Sequence, residues 1–187
     1  MSKKGVLIAV VIFFGLILPI VSIVEGLEIG TNAPFFKVKS GDGKELTLDM
    51  IKGKVILIFY ETKNIVEKNR KLKDELKKFY DEQSDNIKQL TVILPVINCS
   101  SAFWPFTGIW KSKLRESSKK EEIMIYGDWD GKMFSDYKMK DNESNIVIID
   151  KKRAIRFFVS GKVEEEKIIK VKDMLKELGS EKQTTSR

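Results

Sequence analysis

The stretch "KVILIFYETKNIVEKNRKLKDEL", Lys54 to Leu76, decides how the chain is read. "KVILIFY" is a continuous apolar run rich in β-branched and aromatic residues, the pattern of a strand buried on both faces. A polar turn follows. Then Ile65, Leu72, Leu76 and Phe79 form one apolar stripe with lysines and acids opposite, which predicts an amphipathic helix. A strand leading into a helix is the unit of an open α/β sheet, and such sheets bind things at the carboxyl ends of their strands. Here that junction offers Thr62, Lys63, Asn64 and Glu67, with no cysteine and no histidine.

The composition narrows the chemistry further. The chain has 187 residues, 42% hydrophobic and 33% charged, which suits one folded domain with an appendage. Its net charge of +7 comes from interleaved signs. No basic run is joined to aromatics in a binding motif, so no nucleic-acid role is expected. Histidine is absent, which excludes Ser-His-Asp and Cys-His catalysis and His-ligated metals. Cys99 is the single cysteine, so no internal disulfide can close. "DWDGK", Asp128 to Lys132, has two carboxylates but lacks the spacing and final Glu of an EF-hand loop. No metal and no cofactor are expected.

"MSKKGVLIAVVIFFGLILPIVSIV" sets Lys3 and Lys4 before an unbroken apolar run from Gly5 to Val24. As a helix, that run spans a bilayer core of about 30 Å. A basic start and an apolar stretch also make a secretory signal. Pro19 falls late in the run, and Val24-Glu25-Gly26 is a weak cleavage pattern in place of A-x-A. Residues 1–26 are therefore read as a signal peptide or an N-terminal membrane anchor. Both readings put the remainder outside the cytoplasmic membrane, in the periplasm or on the outer membrane face.

Outward from the deciding stretch, "NAPFFKVKSGDGKELTL" alternates around Gly41-Asp42-Gly43 and predicts a hairpin from about Phe35 to Leu48. "LDMIKGK" reads as a short helical turn ending at Gly53. "QLTVILPVIN" is a second buried strand, with Pro95 limiting its ladder bonds. "CSSAFWPFTGIWKSKLRESSKK" reads as irregular. "EIMIYGD", "SNIVIID" and "AIRFFVS" read as three further strands, the last two joined at Lys151-Lys152-Arg153. A final helix from about Val163 buries Ile168, Val171, Leu175 and Leu178, with Gly179 as its C-cap. Residues 27–179 make one domain, and 180–187 a disordered polar tail.

This order of elements resembles the thioredoxin-like superfamily in its exported redoxin branch. "GTNAPFFKVKSGDGKELTLDMIKGKVILIFYET" is similar to the redoxin opening G-x-x-A-P-x-F, its D-G-K turn and its G-K-V strand. "NIVIIDKKRAIRFFVSG" is similar to the strand, Asp turn and returning strand before the last helix. Within the branch, "TKNIVEKNRKLKDEL", "VINCSSAF…SKLRESSKK" and "DWDGKMFSDYKMKDNESNIVIID" resemble the YtfJ-type family. The resemblance runs from about Ile29 to Leu178. It implies an α/β/α sandwich with a central mixed sheet, preceded by an N-terminal hydrophobic helix. It also places a thioredoxin's C-x-x-C on Asn64-Ile65-Val66-Glu67, and its cis-proline on Ser144. Neither the dithiol nor the proline is there, and dithiol exchange needs both an attacking and a resolving thiol.

The junction residues have two readings. Asn64 and Glu67 fit a capping box at a helix start. Thr62, Lys63, Asn64, Glu67 and Ser144 equally fit a ligand or partner site. Cys99 follows a buried strand and is read as a small buried hydrophobe or as a redox-active thiol. Phe103, Trp104, Phe106 and Trp110 either roof a second core or form a partner or membrane-proximal surface. Together these predict an exported thioredoxin-fold protein without dithiol chemistry. It would bind an unidentified envelope protein or ligand, and touch the membrane through residues 5–24 if uncleaved. A monothiol oxidoreductase acting through Cys99 is the alternative.

Overall fold

The computed structural model describes residues 27–62 and 64–180. The predicted signal or anchor, Lys63 and the tail beyond Ser180 lie outside them. No helix among the described residues is long and apolar enough to cross a membrane.

Seven strands form one sheet in the order β2-β1-β5-β4-β3-β6-β7. The predicted hairpin is β1 (Lys37–Ser40) and β2 (Glu45–Thr47), paired antiparallel. Gly43, at φ +80°, closes its turn, and its N–H donates to the Ser40 carbonyl at 3.0 Å. A 3-10 turn at Asp49–Ile51 leads to β3 (Val55–Glu61), all seven residues of which are buried. β3 lies between β4 (Thr91–Asn98), parallel to it, and β6 (Asn145–Ile149), antiparallel to it. β5 (Tyr126–Asp128) runs parallel to β4 and antiparallel to β1. β7 (Ile155–Ser160) closes the far side against β6.

Alternation along β3 builds two cores. Val55, Leu57 and Phe59 pack under Leu72 and Leu76 of α1 (Arg70–Asp81), with Ile168, Val171 and Leu175 of α5 (Glu165–Ser180) beside them. Ile56, Ile58 and Tyr60 face the other way, toward Phe36, Val38 and Leu48, with Met133 of α4 (Lys132–Asp136) and Tyr137 just after it. Two short helices were not expected, α4 and α2 (Asp85–Leu90); both are too short to show a helical period.

Four expectations are corrected. The stretch after Cys99 is not irregular throughout: α3 runs from Thr107 to Lys120. Only Leu114 of that helix is buried, so no stripe marks it in the sequence. Asn64 is not a helix cap. Residues 64–69 wind through successive turns, with Ile65 N–H bonded to Thr62 O at 3.0 Å and Lys68 N–H to Ile65 O at 2.9 Å, and regular helix begins at Arg70. Gly179 is not past the helix but inside it, where a Cβ would meet Ile87 of α2 at 3.1 Å. Ser180 likewise belongs to α5 rather than to a disordered tail.

Both described ends of the chain lie at one edge of the sheet. Gly30 N–H bonds the carbonyl of Ile155, the first residue of β7, at 2.7 Å. Register carries that level through Ile149 to Ile56 and Val92, near the starts of β3 and β4. Lys151, just past β6, donates to the Gly179 carbonyl at 3.0 Å near the end of α5. The opposite edge holds Glu61, Asn98, Asp128 and Asn145.

Two-sided burial sets an expected mutational contrast. Leu57→Ala, at 0% exposure, should lower unfolding free energy by about 2–5 kcal/mol in urea titrations. Ile169→Ala, at 57% exposure on α5, should change it by less than about 0.5 kcal/mol.

Candidate functional site

The strand–helix junction is organised around a charge at the end of an apolar strand. Glu61 is the last residue of β3 and is buried. One carboxylate oxygen accepts from Lys73 Nζ at 2.6 Å, and the other from Ser144 Oγ at 2.7 Å. Lys73, on the second turn of α1, also donates to the Val66 carbonyl at 2.6 Å and lies 5.7 Å from the Phe59 ring centre. That bond draws the 64–69 turn over Glu61. Ser144 sits just before β6 and is wholly buried. The next residue, Asn145, in register with Tyr60, donates to the Lys140 and Glu143 carbonyls at 2.9 and 3.1 Å and fixes the preceding loop. Asn69 ties α1 to the loop before α5. Its amide donates to Gly161 O at 2.9 Å, and its oxygen accepts Val163 N–H at 2.8 Å.

The candidate residues separate into groups. Ser144 belongs to the buried network. Thr62 is half-buried, and its hydroxyl has no hydrogen-bond partner among the described residues. Asn64 is exposed. Glu67 is exposed too, but it reaches Arg70, not a backbone N–H, through bonds of 2.7 and 2.9 Å that hold its carboxyl below the usual range. Arg70 also spans to Glu121 at 3.1 Å. Lys63 lies outside the described residues. The described chain has a cis X–Pro bond at Trp104–Pro105.

Cys99 packs with Leu114 and Ile125 and has 0% exposure. Burial, with Asp128 nearby, pushes its thiol up to about 12, so the thiolate that redox chemistry needs is suppressed. Trp110 leans on the same cluster, while Phe103, Trp104 and Phe106 stay exposed. Of "DWDGK", Asp128 is fully buried, and one oxygen accepts Tyr60 O–H and Phe134 N–H, each at 2.9 Å. Asp130 accepts Lys132 N–H at 3.0 Å, so it shapes the turn.

Beside this network lies a groove of about 1010 Å³ between α1 and α3. Phe59, Ile93, Pro95 and Ile97 floor it; Lys77, Tyr80, Lys113 and Ser117 line its sides. Glu61, Lys73 and Arg70 also line it, so the buried charges open onto an apolar channel. Glu61, Lys73 and the groove were not singled out from the sequence. The signal was there: a carboxylate ends an otherwise uncharged buried strand.

Two outcomes are expected. Burial raises the Glu61 carboxyl above its ordinary value, outweighing the opposite pulls of Lys73 and Ser144. A proton held more tightly in the folded state favours folding at low pH, and that contribution falls as pH rises above the ordinary carboxylate value. Melting curves of wild type should therefore lose stability relative to Glu61→Gln as pH climbs from about 4.5 toward neutrality. Cys99 should resist iodoacetamide in the folded chain at pH ~8 and react once urea unfolds it; equal rates in the two states would contradict its burial.

With this geometry in place, comparisons with known proteins are informative. The thioredoxin domain of a thiol-disulfide oxidoreductase from Bacteroides vulgatus superposes with TM-score 0.57 at 18% identity, over 80% of this chain and 99% of that one. The pneumococcal exposed lipoprotein thioredoxin from Streptococcus pneumoniae gives 0.55 at 20%, over 78% and 100%. A thiol peroxidase from Chromobacterium violaceum gives 0.59 at 12%, over 81% and 88%. At these identities the likeness shows the fold, a thioredoxin-like α/β/α sandwich with a mixed central sheet. No curated protein matches the chain. The family described as "Bacterial protein of unknown function (YtfJ_HI0045)" matches residues 17–178, and the chain belongs to that family.

Proposed function

We propose that the chain is an exported redoxin-fold protein that carries out no dithiol exchange and instead binds a partner or ligand at the Glu61 edge of its sheet. One observation carries the reading. Where related folds hold a dithiol, this chain has the Asn64–Glu67 turn, held over a closed Glu61–Lys73–Ser144 network, and the groove beside it is open. A carboxylate, an ammonium and a hydroxyl can fix a ligand's orientation, but they cannot exchange disulfides. The apolar floor would supply affinity, and the charges at its end specificity.

Export is supported by Lys3, Lys4 and the Gly5–Val24 run, and by the exposed lipoprotein among the structural relatives. A monothiol route through Cys99 would require the buried sulfur to open to solvent, so the binding reading is preferred.

Insulin-disulfide reduction by the purified protein should stay at background; clear turnover would overturn the proposal. Affinity capture from an envelope extract should retain a partner that Ser117→Trp, which fills the groove, loses.

A further inference from the structure

The turn that carries the chain from β4 into α3 has an unusual surface. Ala102 N–H bonds the Cys99 carbonyl at 2.9 Å, and Phe106 N–H bonds the Phe103 carbonyl at 2.8 Å. The backbone is thus closed on itself, and the side chains form its outside. Trp104 is 87% exposed, Phe103 66%, Ile109 54% and Phe106 48%. Phe103 and Phe106 meet edge to face, ring centres 5.3 Å apart, and none of the four joins a buried cluster. Leaving this much apolar surface in water is unfavourable unless something covers it.

The surrounding charge indicates what covers it. From Ser100 to Lys120 the charged residues are Lys111, Lys113, Arg115, Lys119 and Lys120 against Glu116 alone. Arg115 is turned to the hairpin, onto Gly41 O at 2.9 Å and toward Asp42. Lys111 and Lys113, on the first turns of α3 beside the aromatics, are exposed and form no ion pair among the described residues. The surface is an exposed apolar turn with predominantly basic charge behind it. A protein interface buries about 800 Å² per partner, more than four side chains at a turn supply. A lipid surface asks for less: Trp and Phe at the headgroup level and lysines against anionic phosphates.

We propose that the 103–109 turn docks on an anionic lipid surface, with Phe103, Trp104 and Phe106 entering the headgroup–acyl boundary and Lys111 and Lys113 meeting phosphates. This contact lies at the opposite end of the sheet from the point where the described chain enters. Phe103, Trp104, Phe106 and Lys111 do not line the ligand groove, whereas Lys113 does, so the charge test is made at Lys111.

The test uses the full chain reconstituted in liposomes whose lipids carry brominated acyl chains, with more such vesicles added outside. Trp104 emission is taken as wild type minus Trp104→Phe. With roughly one-third phosphatidylglycerol in phosphatidylcholine, that emission should be quenched by bromine and shielded from aqueous iodide, and Lys111→Glu should weaken the effect roughly fivefold or more. Both variants alter exposed residues, so folding is not at stake. Iodide access unchanged by vesicles overturns the proposal. So does equal quenching in pure phosphatidylcholine. Shielding that follows protein concentration without lipid would mean that a second copy covers the turn; shielding only by an added envelope protein would mean a protein partner. Either result also overturns it.

Discussion

The fold depends on one constraint: β3 must be dry on both faces. All seven of its residues are buried, so each face needs its own cover. α1 and α5 supply one, and the hairpin and α4 the other. Strands on either side satisfy its backbone, β4 in parallel and β6 antiparallel. Once β3 is central, the crossover from its end to the start of β4 must pass over a face, and that sets α1 where it is. The junction between β3 and α1 is therefore placed by packing before any chemistry is considered.

Glu61 is the charge this arrangement has to accommodate. An isolated buried carboxylate is costly, and it stays in place because Lys73 and Ser144 satisfy both of its oxygens. Those partners come from α1 and from the loop before β6, elements far apart in sequence. Lys73 also donates to the Val66 carbonyl and so shapes the 64–69 turn. The result is an electrostatic clasp that holds strand, helix and loop together. Thr62, beside it, has a hydroxyl with no partner among the described residues, a group that a bound molecule could satisfy.

Much of the fold was legible in the sequence, because apolar runs such as "KVILIFY" and "NIVII" leave little choice of structure. The hairpin announced itself through Gly41-Asp42-Gly43, and α5 through its stripe of Ile168, Val171, Leu175 and Leu178. What failed to show depended on contacts distant in sequence. α3 buries only Leu114, so its period was invisible, and Gly108 and Pro105 disguised its start. Asn64 and Glu67 have the right spacing for a cap, but Arg70 claims Glu67 and Lys73 draws in the turn. At the site, Ser144 emerged by alignment with a missing proline, whereas Glu61 and Lys73 form a site only through the folded chain. No local pattern announces a pair twelve residues apart whose third member is Ser144.

The described chain begins and ends at the same edge of the sheet, near Ile155 and Lys151, while Glu61, Ser144 and the aromatic turn lie at or beyond the other. That gives the molecule a polarity like a plug on a cable. A segment joined at either described end, whether lipid-embedded, a surface support or a fused protein, pulls on the blunt end of the sheet, opposite Glu61 and the aromatic turn. A tethered copy could then sweep the space in front of its own support, at a reach set by the height of the sheet, rather than lie flat against it.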